Sequence, residues 1–231
     1  MNARNPVPLR EPETADELLA RARALAGRNL GELAAAFGLA LPPSPARAKG
    51  YIGQLVERAL GASSGSRAQA DFAALGIELK TVPVDPRGRP RESTFITSLD
   101  LEREEERRWE SSRVRHKLAR VLWVPVESET GVPFPARRLG WPLLWTPQGA
   151  ELAALREDFE SLVELCEQGL GHQITARHGK VLQLRPKGAD ARALRWTLDG
   201  DGAPVRAAPR AFYLRARFTR ELLGQAWIVA R

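Results

Sequence analysis

The chain of 231 residues contains a single cysteine, Cys166. One thiol excludes an internal disulfide framework and a cysteine-built zinc site. Histidine is scarce as well. His116, His172 and His178 are too dispersed for a histidine-rich metal cluster, and the last two would not share a helix face. No stretch approaches 18 apolar residues, which excludes a membrane-spanning helix. The first ten residues carry no apolar run of the kind a secretory signal needs. A soluble cytoplasmic protein is therefore expected. Lysine is rare too: it occurs only at positions 49, 80, 117, 180 and 187, against 30 arginines.

What is present argues for a folded protein. Hydrophobic residues make up 43% of the chain and there are six tryptophans. The length suits one large domain or two lobes. The net charge of +7 is unevenly placed. Residues 172–231 hold 12 Lys/Arg and 4 Asp/Glu, whereas residues 1–171 hold 23 and 24. A basic excess confined to the last quarter suggests a polyanion-binding surface, with nucleic acid the usual partner. The plain alternative is a solvated basic face. We divide the chain accordingly into an N-terminal part at about 12–171 and a basic part at about 172–231, the second being the candidate nucleic-acid-recognition part.

The stretch Asp71-Phe-Ala-Ala-Leu-Gly-Ile-Glu-Leu-Lys80 stands out. Gly76 ends a turn, and the residues after it alternate as a strand. Glu78 and Lys80 then share one face, while Ile77, Leu79 and Thr81 share the other. The expectation is that Ile77 and Leu79 bury and that Glu78 and Lys80 stand in the open. If Asp71 folds back beside Glu78, two carboxylates and an ammonium converge. That set suits metal-assisted phosphodiester hydrolysis. Composition alone yields about 0.6 acid-x-Lys triplets per chain of this kind, so the motif needs support from its surroundings. An exposed ion pair is its ordinary reading. Lysine in a chain this rich in arginine is the detail that favours chemistry, because an amine and a guanidinium are not interchangeable there.

Periodicity predicts a helix opened by a capping box at Thr14-Ala-Asp-Glu17, a short one at 30–39, and another at 47–60. Glu57 flanks the apolar face of the third and could supply a third carboxylate. Lys49 could meet a phosphate. Residues 85–90 read as a turn, 94–99 as a strand, and the charge run at 100–112 as a solvated loop or helix end. Val121-Leu-Trp-Val-Pro-Val126 looks like a buried central strand. Residues 143–145 add a strand and 148–167 a long helix with Cys166 as inert core. In the basic quarter, 181–186 reads as a strand, 189–196 as a short helix and 199–202 as a turn. Residues 212–218 read as a strand carrying Tyr213, Arg215 and Arg217, and Thr219 as the cap of a last helix over 220–228. The fold class is α/β (α+β), a mixed sheet flanked by helices.

Longer strings carry more weight. Lys49-Gly-Tyr-Ile-Gly53, Gly61-Ala-Ser-Ser-Gly-Ser66, the run from Asp71 to Asp85, Val114-Arg-His-Lys-Leu118 and Val121–Glu127 occur in that order. Ile174–Gly179, Leu184-Arg-Pro-Lys187 and Pro209–Leu214 follow. Over roughly residues 10–225 the chain resembles the MutH family of mismatch-repair endonucleases. The resemblance implies a restriction-endonuclease-like fold, a mixed central sheet with two lobes around a DNA-binding cleft. It implies Mg²⁺-dependent nicking of the unmethylated strand of hemimethylated GATC, 5′ to the G, with Mn²⁺ as a substitute metal. It implies a monomer activated by MutL, which is loaded through MutS. Asp71, Glu78 and Lys80 match the catalytic triplet, and Glu57 a further active-site acid. Asp71, Glu78 and Leu79 are assigned to the metal. Lys49, Phe95, Lys117, Arg185, Pro186, Lys187 and Tyr213 are assigned to DNA. Arg185, Pro186 and Tyr213 match positions that read GATC, with the tyrosine tied to sensing adenine methylation.

Residue chemistry agrees. An arginine can bond a guanine edge in bidentate fashion, and a snug pocket around a tyrosine excludes an added N6-methyl. Two other readings stay open: a stand-alone, dimeric GATC restriction enzyme, which would cut both strands of a palindrome, and a DNA-binding protein without catalysis.

Overall fold

The structure is a computed structural model that describes residues 10–43, 50–62, 69–175, 177–187, 195–198, 203–207 and 209–224. In chain order its elements are α1 (Ala15–Leu25), α2 (Leu30–Ala36), α3 (Tyr51–Leu60), β1 (Glu78–Val84), β2 (Thr94–Ser98), α4 (Arg113–Leu118) and β3 (Val121–Glu127). There follow β4 (Leu143–Trp145), α5 (Gly149–Glu167), β5 (Leu182–Pro186), β6 (Arg195–Leu198), β7 (Pro204–Ala207), β8 (Arg210–Leu214) and α6 (Ala216–Leu223). Two compact units form, each from separated stretches. Met1–Arg91, Ala119–Thr146 and Arg220–Arg231 make the first; Glu92–Leu118 and Pro147–Thr219 make the second. Packing draws this division, whereas the boundary expected near residue 172 is one of charge.

In the first unit, β3 lies between β1, to which it is parallel, and β4, to which it is antiparallel. The sheet is therefore mixed, as expected. Val121 to Val126 are all buried, in keeping with a central strand whose residues are apolar on both faces. Helix caps set the framework. The Thr14 hydroxyl accepts the Glu17 N–H at 3.1 Å, while the Glu17 carboxylate turns back to the Glu13 N–H at 2.8 Å. Asn29 and Glu32 form a reciprocal capping box on α2, which the sequence reading overlooked. Leu30, Leu33 and Ala34 of α2 are buried in the core, so this segment packs as an ordinary helix. Helix α3 starts after Gly50, and the predicted first turn at 47–49 lies outside the described residues. Leu55, Val56, Ala59 and Leu60 form its buried face and join Phe72, Ile77 and Leu79 in one core.

One expectation fails here. Neither Glu78 nor Lys80 stands in the open: Glu78 is 3% exposed, and the Lys80 side chain 16%. Alternation assigns side chains to faces, but it does not say which face the rest of the chain covers.

In the second unit, β8 is the middle strand of an antiparallel sheet ordered β2-β8-β5. Helix α5 supplies the core: Phe159 stacks on Phe212 with centroids 5.4 Å apart, and Trp109 tilts against Phe159 at 5.5 Å. The charge run at 100–112 is not all solvated. Trp109 is 4% exposed, and Glu106, 3% exposed, forms an ion pair with Arg113. The arginine offsets the desolvation of the buried carboxylate.

The end of the chain departs most from expectation. Arg195 and Trp196 are strand, not helix, because Arg195–Leu198 pairs antiparallel with Pro204–Ala207. Residues 189–194 and the predicted turn at 199–202 lie outside the described residues. Strand β8 stops at Leu214, and Arg217 and Phe218 are already helical. Thr219 is no cap. It sits inside α6, fully buried, with its N–H donating to the Arg215 carbonyl at 3.0 Å and its hydroxyl to the same oxygen at 3.3 Å. Residues 225–228 lie outside the described residues. No described helix is long and apolar enough to cross a membrane.

Candidate active site and candidate nucleic-acid interface

A tight turn builds the first site. Phe72 and Ile77, both fully buried, exchange backbone hydrogen bonds of 3.0 and 3.3 Å around the turn Ala73–Leu75. Gly76 closes it at φ +62°, a left-handed conformation that disfavours other residues. Asp71 thereby returns to the start of β1, where its Oδ2 accepts the Leu79 N–H at 2.7 Å. Immediately flanking that amide, the Lys80 ammonium meets Glu78 Oε1 at 2.7 Å. The lysine side chain is 16% exposed and the glutamate side chain 4%. Strand pairing sets Lys80 against Trp123 of β3. Trp123 is fully buried, and its Nε1 has no hydrogen-bond partner among the described residues.

Glu57 reaches β1 from α3. Its Oε1 and the Thr81 hydroxyl lie 3.7 and 3.9 Å from where a Cβ on Gly53 would be. Among the described residues, no three of His, Cys, Asp and Glu converge as a metal cage. Asp71 and Glu78 still flank the Leu79 peptide, so two carboxylates and one backbone carbonyl come from a single short segment. These are hard oxygen donors. The set fits Mg²⁺, which is bound through one or two carboxylates and keeps several waters or substrate oxygens.

The second unit brings together four of the residues assigned to DNA. Phe95 on β2 and Tyr213 on β8 are register partners, with rings edge to face at 5.5 Å. The Arg185 guanidinium on β5 lies 5.5 Å from the Tyr213 ring centroid. Lys187 Nζ lies 4.9 Å from the Phe95 centroid and donates to Ser98 Oγ at 2.8 Å. Two cations and two aromatic rings thus form one cluster on the β2-β8-β5 sheet. Phe95, 40% exposed, is one of two large hydrophobic residues exposed among those described. Pro186, also exposed, is paired with Arg210 and ends β5 between Arg185 and Lys187.

Two assignments remain. Lys117 sits on α4 of the second unit and is 8% exposed. Lys49 and residues 63–66 of the Gly/Ser loop lie outside the described residues.

Two neighbours of the cluster escaped the sequence reading. Gln183 is the register partner of Tyr213 and bonds Ser93 through its amide. Its signal was its position, two residues before Arg185 on an alternating strand. Asp158 of α5, 4% exposed, accepts the N–H groups of Lys180, Val181 and Leu182 at 2.6–2.8 Å. It holds the start of β5, and only the tertiary fold shows it.

The chain is similar to known proteins over nearly its whole length. A family model described as "DNA mismatch repair enzyme MutH" matches residues 60–158, a span that includes Asp71, Glu78 and Lys80. The chain is 50% identical to the DNA mismatch repair protein MutH of Escherichia coli K12 over 221 residues, 96% of each chain. It is equally identical to that of Shigella boydii serotype 4 over the same share. Identity to the protein of Klebsiella pneumoniae strain 342 is also 50%, over 218 residues and 94% of each chain.

Proposed function

Since this chain belongs to the MutH family of DNA mismatch repair enzymes, whose fold is restriction-endonuclease-like, we propose that it nicks the unmethylated strand of hemimethylated GATC sites, 5′ to the G. In this reading it works in the cytoplasm as a monomer that MutL, recruited through MutS, activates. The observation that carries the chemistry is the hydrogen bond from Leu79 N–H to Asp71, with Glu78 and Lys80 on either side of that peptide. A phosphodiester needs a water nucleophile and compensation for charge on the departing oxygen. Bound Mg²⁺ (or Mn²⁺) supplies acidity to water and offsets phosphoryl charge, and Asp71, Glu78 and the Leu79 carbonyl are the groups that would hold it. Lys80 orients the water or offsets developing charge, in contact with Glu78. Glu57, on the Thr81 side of β1, contributes negative charge nearby.

Sequence choice belongs to the second unit. Arg185 offers two parallel donors to guanine O6 and N7, and Tyr213 offers a ring and hydroxyl to adenine. Contact with the Tyr213 ring pre-orients the guanidinium. Phe95 and Lys187 complete a face able to pack on bases and neutralise phosphate. One catalytic set per chain favours a nick over a double-strand cut.

The test is a nicking assay on unmethylated, hemimethylated and fully methylated GATC duplexes, with and without MutL, and with Mg²⁺ or a chelator. Cleavage of one strand, requiring metal and blocked by full methylation, is the expected result. Linearised plasmid from a dimer would favour a restriction enzyme. Metal-dependent cutting that survives Lys80→Ala overturns the assignment.

A further inference from the structure

The second unit contains an open pocket of about 470 Å³ beside the aromatic cluster, lined by residues that the reading above does not use. Arg177 and Lys180 line it from the chain before β5, Gln183 from β5 itself, Ser93 from the residue before β2, and Arg215 and Arg217 from the junction of β8 and α6. Four cations from two distant stretches therefore surround one cavity. We propose that this pocket is a phosphate subsite that takes a DNA backbone phosphodiester flanking the bases read by Arg185 and Tyr213, and so sets the register of the sheet on the duplex. The proposal rests on the functional reading above.

Three features argue for a built anion site. First, two of the cations are held in place. Arg215 donates to the His178 carbonyl at 2.9 Å, and the Lys180 backbone is fixed by Asp158. Gly179, at φ +81°, has no room for a side chain, because a Cβ would lie 2.0 Å from the Leu182 carbonyl oxygen. Second, the buried acid beside the loop is taken up by backbone amides. Asp158 accepts the N–H groups of Lys180, Val181 and Leu182, while Glu157 lies 2.9 Å from Lys180 Nζ. Third, the pocket and the aromatic cluster share a strand pair. Gln183 pairs with Tyr213 and stands two strand residues before Arg185, and Arg215 follows directly on the end of β8. A two-residue strand step spans about 6.6–6.8 Å, so the pocket lies within roughly one or two nucleotide spacings of Arg185 and Tyr213. Phosphate contacts of this kind carry no sequence information, but they fix orientation and register.

The experiment is a coupling cycle across the interface. The double variant Arg177→Gln, Arg217→Gln removes two exposed cations and leaves the aromatic cluster intact. Binding to a hemimethylated GATC duplex and to a scrambled duplex is measured against salt. Single methylphosphonates are then placed at each phosphate around the site. The variant is expected to bind both duplexes more weakly, on the order of tenfold at moderate salt, with a salt slope shallower by about 1 to 2. A methylphosphonate at one or two flanking positions should weaken the wild type and leave the variant nearly unaffected. Additive effects at every phosphate, or an unchanged salt slope, overturn the subsite. Failure of the wild type to prefer GATC overturns the functional reading instead. The coupling cycle, which needs only bound duplex, still decides on the pocket in that case.

Discussion

The Asp71 carboxylate accepts the Leu79 N–H at 2.7 Å, and this single contact ties a turn to the strand that carries Glu78 and Lys80. Asp71→Asn keeps a carbonyl acceptor and loses the charge. It should fold and bind DNA normally and lose nicking by at least about two orders of magnitude, as expected for a group that stabilises reacting charge. Circular dichroism, a binding assay and single-turnover nicking together check this.

Lys80→Ala should abolish cleavage and also cost stability. It removes the ammonium that contacts a glutamate only 3% exposed. Breaking a buried pair costs about 3–5 kcal/mol, and the partial exposure of Lys80 should bring this nearer to about 1–3 kcal/mol. The double variant Glu78→Gln, Lys80→Ala should recover part of that loss in urea unfolding. Lys80→Arg should restore stability better than activity. Equal stability of the single and double variants would count against the pairing.

Arg185→Ala should relax discrimination for GATC by about 1–3 kcal/mol while leaving non-specific binding largely intact. Tyr213→Phe keeps the ring beneath the guanidinium and should retain most sequence preference. Tyr213→Ala removes the shared wall of Phe95 and Arg185. It should weaken discrimination between unmethylated and methylated adenine. Competition binding with methylated and unmethylated duplexes separates the three variants.

Asp158→Ala should be the most destabilising of these changes, by roughly 3 kcal/mol or more. It leaves the N–H groups of Lys180, Val181 and Leu182 without their acceptor at a largely buried site. Asp158→Asn retains one oxygen and should fall between. Denaturant unfolding measures both.

Burial raises the Cys166 thiol to about 11, an effect that nearby Arg210 opposes. At pH 8 the thiolate fraction is then about a hundredfold below that of an unburied thiol, and alkylation should slow by a similar factor until the protein is denatured. Because the folded value lies above the unfolded one, the associated stability is present below about pH 9. It is lost as pH rises towards 11. Iodoacetamide labelling against pH, with and without urea, tests both statements.

Much of the local structure was legible in order. The apolar run at β3, the alternating run at β1 and the long apolar stripe of α5 follow from side-chain period alone. The turn that returns Asp71 follows from Gly76. What failed was segment identity near the C-terminus. Trp196 and Thr197 suit a strand, but a run of four residues is too short to decide locally, and pairing with Pro204–Ala207 sets the state of Arg195–Leu198. Thr219 has the chemistry of a cap, yet the chain turns helical at Ala216 because β8 has already ended. Glu106 and Asp158 look like surface acids in one dimension. Each is buried by partners placed there by folding, and for Asp158 these lie more than twenty residues away.

The sequence by itself determined which residues could do chemistry: an acid and a Glu-x-Lys strand, a basic last quarter, and the strings that mark the family. Those are properties of composition, spacing and period, which survive without coordinates. Only the tertiary structure decided that Glu78 is buried against Lys80, that Phe95, Tyr213, Arg185 and Lys187 meet on one sheet, and that four cations line one pocket. These relations join residues up to about 120 positions apart. Long-range strand pairing and core packing create them, and no local pattern encodes which distant strand will be the neighbour.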